Sequence, residues 1–295
     1  MANQKTRQQR RATERERGER LTSQPPKRGG LSPVALAAGG IVGLLVVIAA
    51  LVGAKLLQSS PKPAKRTGLA PASVVKDVSS VPASTFNTIG AVPDIGGLTN
   101  IGGKPLTEGG KPVVLYIGAE YCPFCAAERW PLVTALSRFG TFTDLGATHS
   151  ATNDVYPNTP TFSFHRAKYS SKYIALQSVE LYGNRPVKGK YKPLEKPTAQ
   201  QDALIRKYDP KGTIPFIYFG TYLQTDASYN PQILAGMTMP QVGQAVGDIN
   251  TDQSVAILGS ANQLTAAICA ETGGRPASVC STPGVTAAAK HLPKS

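Results

Sequence analysis

Ala119-Glu120-Tyr121-Cys122-Pro123-Phe124-Cys125 joins two segments of different character. Before it runs Val113-Val114-Leu115-Tyr116-Ile117, an unbroken apolar stretch with the composition of a fully buried strand. After it, residues 126–139 read as a helix, with Trp130, Val133, Leu136 and Phe139 recurring roughly one turn apart. A strand that hands a Cys-x-x-Cys pair to the first turn of a helix points to thiol–disulfide chemistry. The reason is electrostatic. Unpaired amide N–H groups and the macrodipole at a helix N-terminus stabilise a thiolate, here that of Cys122. Pro123 suits the first helical position, where its missing N–H would find no partner within the helix. Cys125 falls one turn on, on the same face, placed to resolve a mixed disulfide formed at Cys122. A zinc knuckle and a static disulfide are the other uses of such a pair. Zinc calls for a second Cys-x-x-Cys or a His pair, and the sequence has neither.

Downstream, Gly212-Thr213-Ile214-Pro215-Phe216-Ile217-Tyr218-Phe219-Gly220 is a strand pattern with a proline near its start. Proline begins a central strand where the X–Pro bond or a bulge is exploited. Together the two stretches resemble the thioredoxin superfamily. Ala119-Glu120-Tyr121-Cys122 is similar to the thioredoxin Ala-Glu-Trp-Cys entry, while Cys-Pro-Phe-Cys looks closer to glutaredoxin and secreted disulfide-oxidoreductase variants. From about Ser84 to the C-terminus the chain resembles a thioredoxin-like family of actinobacteria and archaea named only as a domain of unknown function (number 929). The resemblance implies an α/β, thioredoxin-like fold that needs no cofactor. It also implies a cis Ile214–Pro215 peptide facing the Cys pair, with Pro215 positioning substrate and the Ile214 backbone pairing with it. Two departures stand out. Thioredoxins keep a buried acid six residues before the first Cys, as proton acceptor for the second thiol, and Tyr116 stands there. Glu120 and Glu128 are the candidates for proton transfer in its place, each equally readable as a solvated charge. Pro131 resembles the helix-kinking proline of many relatives but lies one residue further from the second Cys.

A chain of 295 residues holds one good-sized domain plus appendages. The net charge of +14 invites a nucleic-acid reading, but its distribution argues against one. Residues 1–30 carry nine Lys/Arg and three Glu, so +6 sits in a polar tail that cannot bury a core. The rest is spread without an Arg-rich helix or an aromatic RNA-binding signature, so no nucleic-acid partner is expected.

Residues 34–54, Val34 to Ala54, form an uncharged run of 21 residues. At about 1.5 Å per residue it matches a bilayer's hydrocarbon core of roughly 30 Å. The basic excess before it predicts a cytoplasmic N-terminus. Its length exceeds a cleavable signal's apolar region, so an uncleaved signal-anchor helix is expected across 31–57. Ser- and Pro-rich residues 58–83 read as a flexible linker, and 84–295 as an extracytoplasmic domain.

Within that domain, residues 84–107 read as an irregular lead-in and 142–148 as a second parallel strand. Two segments, 156–164 and 173–182, read as a strand-rich insertion. A helix over 198–208 is capped by Thr198. Gln232-Ile233-Leu234 reads as a closing strand, followed by helices over 240–249 and 253–271. Cys269 and Cys280 read as a structural disulfide, suited to an oxidising compartment, with an electron-shuttling pair as the other use. His149, His165 and His291 have no ligand pattern, so no metal is expected.

The sequence thus predicts a single-pass membrane protein whose thioredoxin-like domain, with an insertion, exchanges disulfides outside the cytoplasm. Cys122 is the expected nucleophile and Cys125 the resolving thiol. The expected partners are cysteine-containing extracytoplasmic proteins, a membrane redox partner, and the bilayer through residues 34–54. Oxidase or isomerase action is favoured, with a potential of roughly −270 to −120 mV. The alternatives are a reductase of the same fold, or a redox-inactive or metal-handling binding module.

Overall fold

The apolar strand before the cysteines is the centre of a mixed α/β domain. The computed structural model describes residues 68–93 and 95–294. The basic tail 1–30, the expected membrane helix 31–57 and the linker up to residue 67 lie outside the described residues. Among the described residues no helix is long and apolar enough to cross a membrane.

In chain order the domain begins with β1 (Gly68–Leu69), α1 (Ala72–Ser79), α2 (Ala83–Ile89), β2 (Leu98–Asn100), β3 (Thr107–Glu108), β4 (Lys111–Gly118) and α3 (Pro123–Ser137). Next come β5 (Gly140–Thr143), β6 (Gly146–His149), β7 (Pro160–Ser163), β8 (Lys168–Ser171), β9 (Ala175–Glu180), β10 (Tyr182–Val187) and β11 (Lys190–Pro193). The last part holds α4 (Ala199–Tyr208), β12 (Phe216–Tyr218), β13 (Tyr222–Gln224), α5 (Met239–Val246), α6 (Asp252–Glu271), α7 (Ala277–Cys280) and α8 (Pro283–Ala289).

The central sheet runs β9-β4-β12-β13-β2, with β3 adding a hairpin to the start of β4. β9 is parallel to β4, with Val113 opposite Ala175 and Gly118 opposite Glu180. β12 is antiparallel to β4, with Phe216 opposite Ile117. Alternation along β4 explains why it reads as an unbroken apolar run, since both faces are covered. Val113, Leu115 and Ile117 join a core with Leu204, Ile205 and Tyr208 of α4. Val114 and Tyr116 join the larger core with Trp130 and Leu136 of α3 and Leu264 and Ile268 of α6. Each fully buried large side chain in these layers contributes roughly 2 kcal/mol relative to exposure.

Local chemistry sets the helix that carries the thiols. Thirteen of the fifteen residues of α3 are buried, as in a helix covered on all sides. Pro131 lies inside it and lacks an N–H, which leaves the Ala127 carbonyl without its helical donor. The Tyr229 hydroxyl takes that place, donating to Ala127 O at 2.8 Å. Thr198 caps α4 in a reciprocal capping box with Gln201.

Several sequence expectations are corrected. The described end of the presumed linker holds α1, which buries Val74 and Val78 one turn apart. The presumed irregular lead-in contains α2, whose end is tied by Asn262 donating to the Phe86 and Gly90 carbonyls, and β2, an edge of the central sheet. The segment 142–148 is not the parallel partner of β4. Asp144, at φ 58°, breaks it into β5 and β6, which pair antiparallel with β8 and β7. The parallel partner is β9, which belongs to the central sheet rather than to an insertion. The closing strand is β13. Residues 231–234 instead form a 3₁₀ turn, begun by Pro231 and capped by the Asn230 side chain.

Candidate functional site

The turn from β4 into α3 places the two thiols. Cys122 is the N-cap of α3, with extended backbone (φ −75°, ψ 122°), and Pro123 opens the helix. The Cys125 N–H donates to Cys122 Sγ at 3.3 Å. The Cys122 thiol donates to the Ile214 carbonyl at 3.7 Å, and the Ile214–Pro215 peptide is cis. Chain segments 92 residues apart therefore meet at one sulfur. Cys122 and Cys125 are both free thiols, 6% and 0% exposed.

Their environments separate the two thiols chemically. Hydrogen bonding from Cys125 outweighs burial at Cys122 and lowers its pKa, helped by the charge of Arg129. Burial pushes the Cys125 thiol well up, and the hydrogen bond and charge of Cys122 push the same way. This is the asymmetry a nucleophile and a resolving thiol need.

Arg129, one turn beyond Cys125, is fully buried. Its guanidinium forks onto Glu180 at the end of β9, Nε to Oε1 at 2.9 Å and Nη2 to Oε2 at 2.7 Å. Burial pulls its pKa down, but the Glu180 carboxylate more than restores it, so the cation persists inside the protein. Glu180 is held in turn by the Phe164 N–H at 3.1 Å. The same guanidinium lies 5.5 Å from the centre of the Tyr116 ring.

Tyr116, 0% exposed, folds back over Gly118, where a Cβ would collide with its hydroxyl. Burial raises its pKa well above the usual phenol value, with the Arg129 charge opposing.

The two carboxylates considered for proton transfer are both buried. Glu120 is buried and accepts the Ser163 hydroxyl at 2.7 Å. Glu128 is buried against Ser228, accepting its N–H at 2.7 Å and its hydroxyl at 3.1 Å, and burial pushes its pKa up to about 8. Neither is a solvated charge.

Aromatic rings edge the site. Tyr121 stacks on Tyr191 of β11 with centroids 4.3 Å apart, and Phe124 meets Tyr156 edge-on at 5.8 Å. The Tyr121 N-terminal neighbour is tied to the same arm, since the Glu120 N–H donates to Tyr182 O at 2.9 Å. Sequence reasoning missed Tyr156, Tyr191 and Glu180, because each reaches the site from a distant strand or loop. Cys269 and Cys280 are joined in a disulfide between the end of α6 and α7. Among the described residues no three His, Cys, Asp or Glu side chains converge as metal ligands.

The model of a protein family described as Domain of unknown function (DUF929) matches residues 98–270, more than half of the chain. No curated protein and no solved structure matches.

Proposed function

The chain belongs to this family, whose description names no activity, and from that premise we propose that it is a membrane-anchored, extracytoplasmic thiol–disulfide oxidoreductase of thioredoxin type. The observation that carries the reading is the geometry at Cys122. One sulfur caps a helix, accepts the N–H of a second cysteine at 3.3 Å and faces the Ile214 carbonyl beside a cis proline. The strand order β9-β4-β12-β13, with α3 between parallel β4 and β9, supports the fold assignment.

The exchange runs through Cys122. Its thiolate attacks a substrate disulfide, forming a mixed disulfide and releasing one substrate thiolate. Cys125 then attacks the Cys122 sulfur, closes the Cys122–Cys125 disulfide and releases the second substrate thiolate. In the oxidising direction the same bonds form and break in reverse. Pro215 and the Ile214 backbone hold the substrate chain. A lowered Cys122 pKa beside a buried cation favours the reduced form of the pair, which makes the couple oxidising and supports an oxidase or isomerase over a reductase. The charge asymmetry around residues 34–54 supports an N-terminus inside and a domain outside the cytoplasm. The partners are then cysteine-containing proteins of that compartment and a membrane redox protein. Cysteine trapping tests the reading. Cys125→Ala is expected to accumulate mixed disulfides through Cys122, and a chain that traps none contradicts it.

A further inference from the structure

Two fully buried polar atoms beside the thiol pair have no hydrogen-bond partner among the described residues: the Tyr116 hydroxyl and Nη1 of Arg129. Buried donors are nearly always paired, so two together, on residues whose side chains touch, call for an explanation. The charges of both residues bear on Cys125. Arg129 follows it by four residues on α3, hence on the same helix face. Tyr116 lies over Gly118, the last residue of β4 before the cysteine turn, and its ring sits 5.5 Å from the Arg129 guanidinium. Tyr116 reaches this place because Gly118 has no side chain. The Glu180 fork uses Nε and Nη2 of Arg129 and leaves Nη1 unpaired.

We propose that Tyr116 and Arg129 are positioning residues for Cys125, donating from the hydroxyl and from Nη1–H to the negative charge that develops on its sulfur during exchange. The proposal rests on the thiol-exchange reading above. When Cys125 resolves a mixed disulfide it attacks as a thiolate. When a substrate thiolate opens the Cys122–Cys125 disulfide at Cys122, the S–S electron pair leaves on Cys125. In both directions the charge sits on a sulfur that is wholly buried and whose own helix-end neighbour, Cys122, is already served by other donors. The titratable groups whose charge bears on Cys125 include Cys122 on its own element, Arg129 one turn on, Tyr116 from β4 and Tyr121 from the preceding turn. Glu180 of β9 is forked onto Arg129 and feels the charge of Glu120, which also accepts from Ser163, while Glu128 is engaged by Ser228. Of these, only Arg129 supplies a positive charge. Tyr116 therefore does not accept the proton of the second thiol. It donates a hydrogen bond to the thiolate once the proton has gone.

Tyr116→Phe tests this cleanly, because it removes a hydroxyl that has no hydrogen-bond partner among the described residues. The full-length chain, reduced at Cys122 and Cys125, is mixed with dithiobis-nitrobenzoate across a pH series. The first thionitrobenzoate equivalent reports attack by Cys122, and the second reports attack by Cys125 on the adduct. Tyr116→Phe is expected to slow the second release about tenfold at neutral pH and to move its pH midpoint upward, with the first release changed less than about twofold. Arg129→Gln combined with Glu180→Gln keeps a neutral hydrogen-bonded pair and is expected to slow the second release further. A Tyr116→Phe chain whose second release keeps the native rate and pH midpoint overturns the proposal while leaving the exchange reading intact. A native chain that releases no second equivalent overturns both.

Discussion

The four cysteines form two pairs at opposite ends of helices, and the two ends impose different fields on their sulfurs. Cys122 caps the N-terminus of α3 and Cys125 lies in its first turn. Cys269 lies in the last turn of α6, and Cys280 is the last residue of α7. The N-terminal end of a helix stabilises a thiolate and the C-terminal end disfavours one. The first pair stands as two free thiols, beside a buried guanidinium and with unequal acidities. The second is closed in a disulfide that fastens the end of the longest described helix to a short one. Spacing alone does not make a cysteine pair reactive. The helix end, the buried charge and a facing carbonyl are what set Cys122 and Cys125 apart from the other pair.

Breaking each pair separately should expose that contrast. The largest effect is expected at the first pair. Cys122→Ala should abolish thiol exchange altogether, measured by the release of thionitrobenzoate, while Cys269→Ser with Cys280→Ser should leave the rate within about twofold. The second pair should instead control stability. A disulfide closing a loop of this length contributes about 3 kcal/mol on chain-entropy grounds, so its loss should lower the denaturation midpoint by that equivalent. Loss of exchange without loss of stability in that double variant would make Cys269–Cys280 a relay.

A smaller effect distinguishes the surroundings of the two pairs by pH. Glu128, three residues after Cys125, has a folded pKa of about 8, raised by burial from an ordinary value of 4.5. The folded state therefore holds more protons than the unfolded state between these values, and the stability present below 4.5 is lost as pH rises through 8. The fall amounts to roughly 2.5 kcal/mol between pH 5 and pH 7. Chemical denaturation should show Glu128→Gln flattening this slope, whereas the serine variants of the second pair should keep it. A native chain equally stable at pH 5 and pH 7 would mean that Glu128 is ionised in the fold.

The strand–turn–helix around the thiols was legible because its signals are local: an apolar run, a Cys-Pro-x-Cys turn and a periodic helix. The same holds for α4, announced by Thr198 and its capping partner Gln201. What stayed hidden depends on distant partners. Arg129 and Glu128 look like ordinary surface charges on a helix until Glu180 and Ser228, 51 and 100 residues away, are placed beside them. Strand 142–148 reads as one element because Asp144 does not announce a left-handed turn as a glycine would. Helix α1 hides in a Ser- and Lys-bearing stretch, where only Val74 and Val78, four residues apart, mark the buried face.

Equilibrating the full-length chain with glutathione buffers of graded potential, and mapping each cysteine pair by mass spectrometry, tests the central claim most directly. Cys122 and Cys125 should pass between dithiol and disulfide at roughly −270 to −120 mV, while Cys269–Cys280 stays oxidised throughout. If Cys122 and Cys125 do not change state across that range, or Cys269–Cys280 titrates in their place, the redox assignment is wrong.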